Sequence, residues 1–305
     1  SLSGQCLKLI LPSLLDGLDE KQWRTKKGAV ELLGAMAFCA PRQLSAALPT
    51  IIPRLSEVLT DSHRQVSAAA NQSLKQFGEV IHNPEIHALV PSILKALVDP
   101  NAKTALALKG LLRTKFVHYI DAPSLALIAP IIERGLRERT VLLQKQAAQI
   151  VGHLASLTDA RDYVPYLAKL TPLVRVVLVS PVPDARGVAA KALGTLVERL
   201  GEVHFVDLVP SLLQVLRTDA TGVDRHGAAQ GLAEVLAGLG MERMERLLPT
   251  IIENTQDSTP YVREGHLALL IYLPATFGAR FLPHLQRIVP PIVASMADDI
   301  ESVRE

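Results

Sequence analysis

The sequence predicts an all-α chain built as a solenoid, with about seven complete helix pairs and a truncated eighth. Three observations predict it. Prolines recur at Pro12, Pro53, Pro91, Pro130, Pro172, Pro210, Pro249 and Pro290, in steps of 38 to 42 residues. An acid follows most of them by eight positions, at Glu20, Asp61, Asp99, Glu138, Asp257 and Asp298. A basic residue follows that acid in every period: Lys26, Arg64, Lys103, Lys145, Arg186, Arg225, Arg263 and Arg304. The sixth period places its acid one position late, at Asp219, and the fifth carries Ser180 instead.

Each period reads as helix A, a short acid-marked turn, and helix B. Helix A carries Leu, Ile and Val at helical spacing, as in ILPSLLDGLD, LVPSILKALVD and LVPSLLQVLRTD. Helix B is rich in small residues, as in AVELLGAM, QAAQIVGHL, VAAKALGTL and GAAQGLAEVL. Gly34, Gly152, Gly194 and Gly231 each cost about 1 kcal/mol relative to Ala inside a helix, which makes sense where a neighbouring backbone comes close. The recurring proline sits in the first turn of helix A, where its missing N–H costs nothing, or it bends the helix. Pro49 with Pro53 points to a bend or a late helix start in the second repeat.

A period near 40 residues with two helices per unit is the pattern of HEAT or armadillo repeats. One helix pair cannot bury both faces, so stacked pairs share a continuous core. The repeats span 5–38, 43–82, 85–120, 123–157, 160–201, 205–240 and 241–278, with a partial one over 279–305. LVSPVPDAR, at 178–186, is the longest proline-bearing turn and a candidate kink or exposed loop. The whole of 1–305 reads as a single HEAT-repeat domain and as a fragment of a longer chain, because DDIESVRE stops inside the pattern. Its cut ends predict self-association of the isolated fragment.

Composition narrows the partners. Hydrophobic residues make up 49%, too many for a disordered chain, and aromatics only 4%, so the core is aliphatic and alanine-rich. A net charge of +2 gives no bulk attraction to a polyanion, and any nucleic-acid contact needs local patches. Cys6 and Cys39, each beside apolar residues, read as buried thiols in a reducing compartment, hence a cytoplasmic protein. There is no charge-free apolar run of membrane-spanning length, so no membrane partner is expected. The N-terminus has no basic region before its apolar run and does not read as a signal peptide.

No phosphate-binding glycine loop, dinucleotide fingerprint or H-E-x-x-H is present. His82 and His87 are five apart, a poor spacing for two ligands on one helical face. Ser92 and Ser211 follow repeat prolines and read as architectural. The sequence therefore predicts no enzyme, no catalytic residue, no cofactor and no metal site.

The charged columns admit two readings. In one they form a structural ladder of Asp61, Asp99, Glu138, Asp257 and Asp298 against Arg64, Lys103, Lys145, Arg186, Arg225 and Arg263. Each exposed pair then contributes about a few tenths of a kcal/mol. In the other, surplus cations touch phosphates. The surplus is local: EKQWRTKKG sets Lys21, Arg24, Lys26 and Lys27 around Trp23, and ERGLRERTVLLQK carries Arg134, Arg137, Arg139 and Lys145. A ring among cations suits stacking and backbone contact with RNA. The candidates for such contact are Trp23, Arg24, Lys26, Lys27, Arg137 and Arg139. Trp23 also fits a wedge between neighbouring repeats.

From about residue 9 to residue 196 the text resembles the HEAT region of fungal translation elongation factor three. The W-x-T-K cluster at Trp23, the L-P-x-I-I-P-x-L-S-E helix at 48–57 and the R-G-L-x-E-R turn at 134–139 carry the likeness. The third repeat, over 101–120, departs from that factor. The chain as a whole resembles the giant HEAT-repeat translational coactivators of the general control nonderepressible protein one family, which contain this elongation-factor-three-like segment. That resemblance implies a non-catalytic, ribosome-associated scaffold. It would couple stalled or collided ribosomes to the kinase that phosphorylates the α subunit of initiation factor two. This segment would meet ribosomal RNA or proteins and an ABC-family ATPase partner, with the kinase contact outside it. The alternative is a general protein-interaction scaffold in transport or phosphatase assembly.

Overall fold

The structure is a computed structural model that describes residues 4–304, with side chains from residue 9 onward. Its elements are helices, and among the described residues the only bridge between extended segments is the isolated parallel one of Ile120 with Thr158. The first helices are α1 (Gly4–Leu18), α2 (Trp23–Cys39), α3 (Pro41–Val58), α4 (Arg64–Gly78), α5 (Pro84–Val98), α6 (Pro100–Arg113) and α7 (Ala122–Arg137). There follow α8 (Val141–Ala155), α9 (Ala160–Leu178), α10 (Pro183–Leu200), α11 (Leu208–Leu216), α12 (Gly222–Leu239) and α13 (Met241–Asn254). The last are α14 (Pro260–Phe277), α15 (Leu285–Ser295) and α16 (Glu301–Arg304), with 3-10 turns at Glu202–His204 and Gly278–His284. Odd-numbered helices play the role of A and even-numbered ones of B. This is an α-solenoid of HEAT repeats, as the periodicity predicts.

The recurring prolines lie inside their helices. Pro12, Pro53, Pro91, Pro130, Pro249 and Pro290 are interior, Pro172 falls within α9, and only Pro210 occupies a first turn. The first-turn explanation therefore holds for one repeat. In the others the ring removes an N–H from the helix ladder, which bends a helix without ending it. Nor does the second repeat start late, because α3 opens at Pro41 and runs through both Pro49 and Pro53. The cheap helix-start positions belong to other prolines: Pro41, Pro84, Pro100, Pro183 and Pro260.

The described chain forms two compact units. One comprises the residues up to Arg137 together with Leu157–Leu167, the other Glu138–Ser156 together with Ala168 onward. In the first, α2 packs along α4, and α1 and α3 cover them. The third pair breaks the stacking: α3 meets α7 instead of α5, and α4 and α6 are not closely packed. The pair is held from its loop. Asn83 caps α5, accepting from Ile86 N at 2.8 Å, and donates to the carbonyl of Tyr119 at 2.9 Å. Glu85 accepts from Val117 N at 3.2 Å and meets His118 Nδ1 at 2.7 Å. Ile120 N donates to Leu157 O at 2.9 Å.

In the second unit the B helices α8, α10, α12 and α14 pack in succession. Small residues allow this. A Cβ on Gly194 would lie 2.6 Å from the carbonyl oxygen of Glu234, and one on Gly238 would lie 2.5 Å from the carbonyl oxygen of Gly194. Ala189, Ala190, Leu193, Ala229, Leu232 and Ala233 are buried along the same contact. Residues 260–295 are long and apolar enough to match a membrane span by composition, but half of their most apolar stretch is buried within the protein. They form α14, the second 3-10 turn and α15.

The turn in LVSPVPDAR is a short exposed loop, as expected: α9 reaches Leu178 and α10 begins at Pro183, with Val179, Pro181 and Val182 exposed and Ser180 buried. One further expectation changes. Cys39 is an exposed free thiol at the end of α2, not a buried one, because the buried face of that helix runs through Val30, Leu33 and Ala37. The side chain of Cys6 lies outside the described residues.

Candidate functional site

Four of the turn acids bond to their own backbone. Asp61 accepts from His63 N, Asp257 from Thr259 N and Asp298 from Ile300 N, at 2.8, 2.8 and 2.9 Å. Asp99 instead caps α6 through Ala102 N at 3.3 Å. Ser180 substitutes for the missing acid in the fifth period, its hydroxyl accepting from Val182 N at 3.3 Å. At Glu138 the turn is closed by Gln144 Nε2 donating to the backbone carbonyl, at 2.8 Å. Asp219 is exposed.

In four periods the basic residue that opens helix B reaches a carboxylate of the next repeat. Lys26 Nζ donates to Asp61 at 2.8 Å. Arg263 meets Asp298 through both Nε and Nη2, each at 2.8 Å. These bonds hold the carboxyls of Asp61 and Asp298 below the usual aspartate range, assisted by the backbone N–H each accepts. The carboxyl of Asp257 is lowered chiefly by its bonds with Thr259. Lys145 pairs with Asp184, and Arg225 Nη2 donates to Glu264 at 2.8 Å.

The arginines also reach back to the carbonyls of their own turn: Arg186 to Ser180 at 2.8 Å, Arg263 to Asp257 at 2.9 Å, Arg304 to Asp298 at 2.6 Å, and Arg225 to Ala220. Arg64 and Lys103 are exposed and form no ion pair among the described residues. Asp184 and Glu264 lie outside the acid column. Their signal was in the sequence, since each stands 39 residues after its base.

The Trp23 cluster is largely engaged. The indole stacks on the imidazole of His63, with centroids 4.1 Å apart and planes 11° from parallel, so it bridges the first B helix and the next repeat's turn. Arg24 lies over the indole at 5.3 Å. Lys26 is held by Asp61, and Lys27 pairs along its helix with Glu31 at 3.2 Å. Arg137 pairs with Glu133 at 2.9 Å within α7. Arg139, in the turn before α8, is exposed and forms no ion pair among the described residues. Of the column and cluster cations, Lys21, Arg24, Arg64, Lys103 and Arg139 are exposed and form no ion pair among the described residues.

Arg24, Arg64 and Lys103 stand in the first turn of a B helix. That end of a helix already carries partial positive charge, so these side chains are poorly placed for helix stability and well placed to meet an anion. No group of three or more His, Cys, Asp or Glu among the described residues could hold a metal ion. His82 and His87 are both exposed, and His82 engages Asp121 only through its backbone N–H, at 3.1 Å.

Comparison with known proteins agrees with this architecture. Residues 1–74 match the family described as EF3 N-terminal HEAT repeat, and residues 102–207 the family described as Elongation factor 3/GNC1 HEAT repeat. The segment expected to depart from that factor is therefore matched over nearly all its length, and residues 75–101 fall between the two matches. The chain is 53% identical over its whole length to the stalled ribosome sensor GCN1 of Mus musculus. It is 48% identical, over 99% of its length, to the eIF-2-alpha kinase activator GCN1 of Saccharomyces cerevisiae. It spans 12% of the mouse protein and 11% of the yeast one. Among solved structures, Kap121p bound to Pho4p superposes with a TM-score of 0.52 at 15% identity, over 97% of this chain and 32% of that one. At that identity the likeness is one of fold alone.

Proposed function

Because the chain is a HEAT-repeat segment of the elongation factor 3/GCN1 type, we propose that it forms part of a non-catalytic, ribosome-associated scaffold. The scaffold couples stalled or collided ribosomes to activation of the kinase that acts on the α subunit of initiation factor two. One observation carries this reading: identity of 53% along the entire chain with a protein described as a stalled ribosome sensor. Its action is cytoplasmic, where ribosomes translate. An ABC-family ATPase is a partner of this segment, and the kinase docks elsewhere.

The contact residues form a narrower set than charge alone suggests. Arg24 and Arg139 have exposed guanidiniums without a carboxylate, and they are the best candidates for ribosomal phosphate. Trp23 supports Arg24 from beneath, and Lys27 and Arg137 are held only by exposed pairs within their own helices. Lys26 is committed to Asp61 and belongs to the framework. The test is site-specific crosslinking: a photoreactive residue at position 24 or 139, with purified ribosomes. Crosslinks to ribosomal RNA or proteins are expected from both positions. Crosslinks from neither, with the chain bound to ribosomes, would overturn the residue assignment.

A further inference from the structure

We infer that the groove between α4 and α5 is a docking site for an acidic, amphipathic peptide segment of a partner protein. The groove has a volume of about 500 Å3. Its apolar lining comes from Leu74 of α4 and from Val90, Pro91, Leu94 and Val98 of α5. Three lysines stand on its rim, Lys75, Lys95 and Lys103, one from each of α4, α5 and α6. Neither this site nor its test depends on the ribosome reading.

The groove exists because the third helix pair leaves the stack. In the second unit each B helix is covered by the next, but α6 does not pack closely on α4. The side of α4 that carries Asn71, Leu74 and Lys75 is bordered by α5 instead. The two helices pack closely at Gly78, where a Cβ would lie 2.8 Å from Val90. From there the lining continues along α5 to Asp99 at the start of α6. Pro91, inside α5, cannot donate to the helix ladder, and an interior proline bends its helix. Val98 is left 39% exposed and Leu94 half-buried.

The charge on the rim identifies the occupant. Lys75, Lys95 and Lys103 are all exposed, and none forms an ion pair among the described residues. The one carboxylate at the rim, Asp99, is occupied in capping α6. In a chain whose net charge is only +2, three unpaired ammonium groups around one apolar groove are a concentrated local excess. Apolar floor and cationic rim together complement a helix with leucine-like anchors at i, i+3 and i+4 and Asp or Glu on its flanks. A single-stranded RNA fits less well, because the lining offers no aromatic ring for a base to stack on.

The test is fluorescence anisotropy with this 305-residue chain. The probe is a fluorescein-labelled peptide of about four helical turns, with leucines on one face and Asp and Glu on the other. The comparators are the same peptide with lysines replacing its acids and a labelled oligo-uridine. Two variants are needed: the triple K75A/K95A/K103A, which touches only exposed side chains, and Leu94→Glu, which puts a carboxylate on the floor. Circular dichroism and a melting curve check that each is folded. The acidic peptide is expected to bind saturably, and each variant to weaken it by about tenfold or more. The basic peptide and the RNA are expected to show no saturable binding. Absence of binding by the acidic peptide would overturn the proposal, as would binding that neither variant changes. Displacement of the peptide by the RNA would assign the groove to nucleic acid instead.

Discussion

Arg263 grips Asp298 across 35 residues of sequence with two parallel hydrogen bonds, Nε to Oδ2 and Nη2 to Oδ1, each 2.8 Å long. The third nitrogen of the same guanidinium donates to the carbonyls of Asp257 and Ser258, at 2.9 and 3.3 Å. One side chain thus ties the A–B turn of one repeat to that of the next. A lysine keeps the charge but has no fork to divide between two turns. Arg263→Lys should therefore lower the melting temperature by a few degrees, and Arg263→Ala by more. The benefit has a pH sign. Arg263 holds the Asp298 carboxyl below its ordinary value of 3.8, so this stabilisation is complete above that value. It is lost as pH falls through the lower folded value. A melting series that leaves Arg263→Lys equal to wild type would show that the fork is not what joins the turns.

The pair of Arg225 with Glu264 is more deeply set, with side chains 8% and 10% exposed. Removing one partner leaves the other buried without compensation. Arg225→Ala should cost about 3–5 kcal/mol, whereas replacing both residues with leucine should restore much of the loss. Denaturant unfolding of both single variants and the double variant measures this. A double variant less stable than either single would contradict the account.

Glycines in the B helices separate by their surroundings. Gly194→Ala would place a Cβ 2.6 Å from a backbone oxygen of α12, so the two helices must part, at a cost of about 1–3 kcal/mol. Gly28, within α2, has nothing within 4 Å of where its Cβ would be. Gly28→Ala should stabilise by about 0.5–1 kcal/mol through helix propensity alone. Opposite signs in parallel urea titrations are the expected result.

Two histidines make the second unit sensitive to mild acid. Burial lowers the values of both His226 and His266 below the ordinary 6.5; Arg186 and Arg225 lower His226 further, and Glu264 opposes. His266 is fully enclosed and donates from Nδ1 to the carbonyl of Val262 at 2.7 Å. Well above the ordinary value both residues are uncharged whether the chain is folded or not. As pH falls below that ordinary value the unfolded chain takes up protons first, so stability declines. The melting temperature should drop between about pH 7.5 and about pH 5.5, and His226→Gln with His266→Gln should flatten the slope. An equal slope in that double variant would place the sensitivity elsewhere.

The repeat was legible because it is written locally. Apolar spacing, small residues and the proline and charge columns each recur within about forty residues, and helix pairing follows from them. Gly34, Gly152, Gly194 and Gly231 could be assigned to close approaches because a helical glycine needs a reason, and each now faces a neighbouring helix. What the columns could not say was tertiary. Whether Pro53 starts α3 or sits deep within it depends on Pro41, upstream, and on the packing that carries the helix through. Asp184 and Glu264, near the starts of α10 and α14, are the partners of Lys145 and Arg225 in place of Ser180 and Asp257, because the N-terminal turns of helix B can present a carboxylate as well as the A–B turn can. The displacement of the third pair was invisible, since α3 meeting α7 is a contact between segments far apart in sequence. The candidate surface was legible only as charge. Lys26 and Arg139 look alike in sequence, and only their neighbours separate a framework cation from an exposed one.

Sucrose-gradient sedimentation of the chain with purified ribosomes, across a series of salt concentrations, tests the central claim most directly. The account predicts co-migration with the ribosome peak at low salt. It predicts progressive release as salt rises, and weaker binding when Arg24 and Arg139 are both changed to Glu in a chain that melts like wild type. A folded chain that stays at the top of the gradient even at the lowest salt would contradict it.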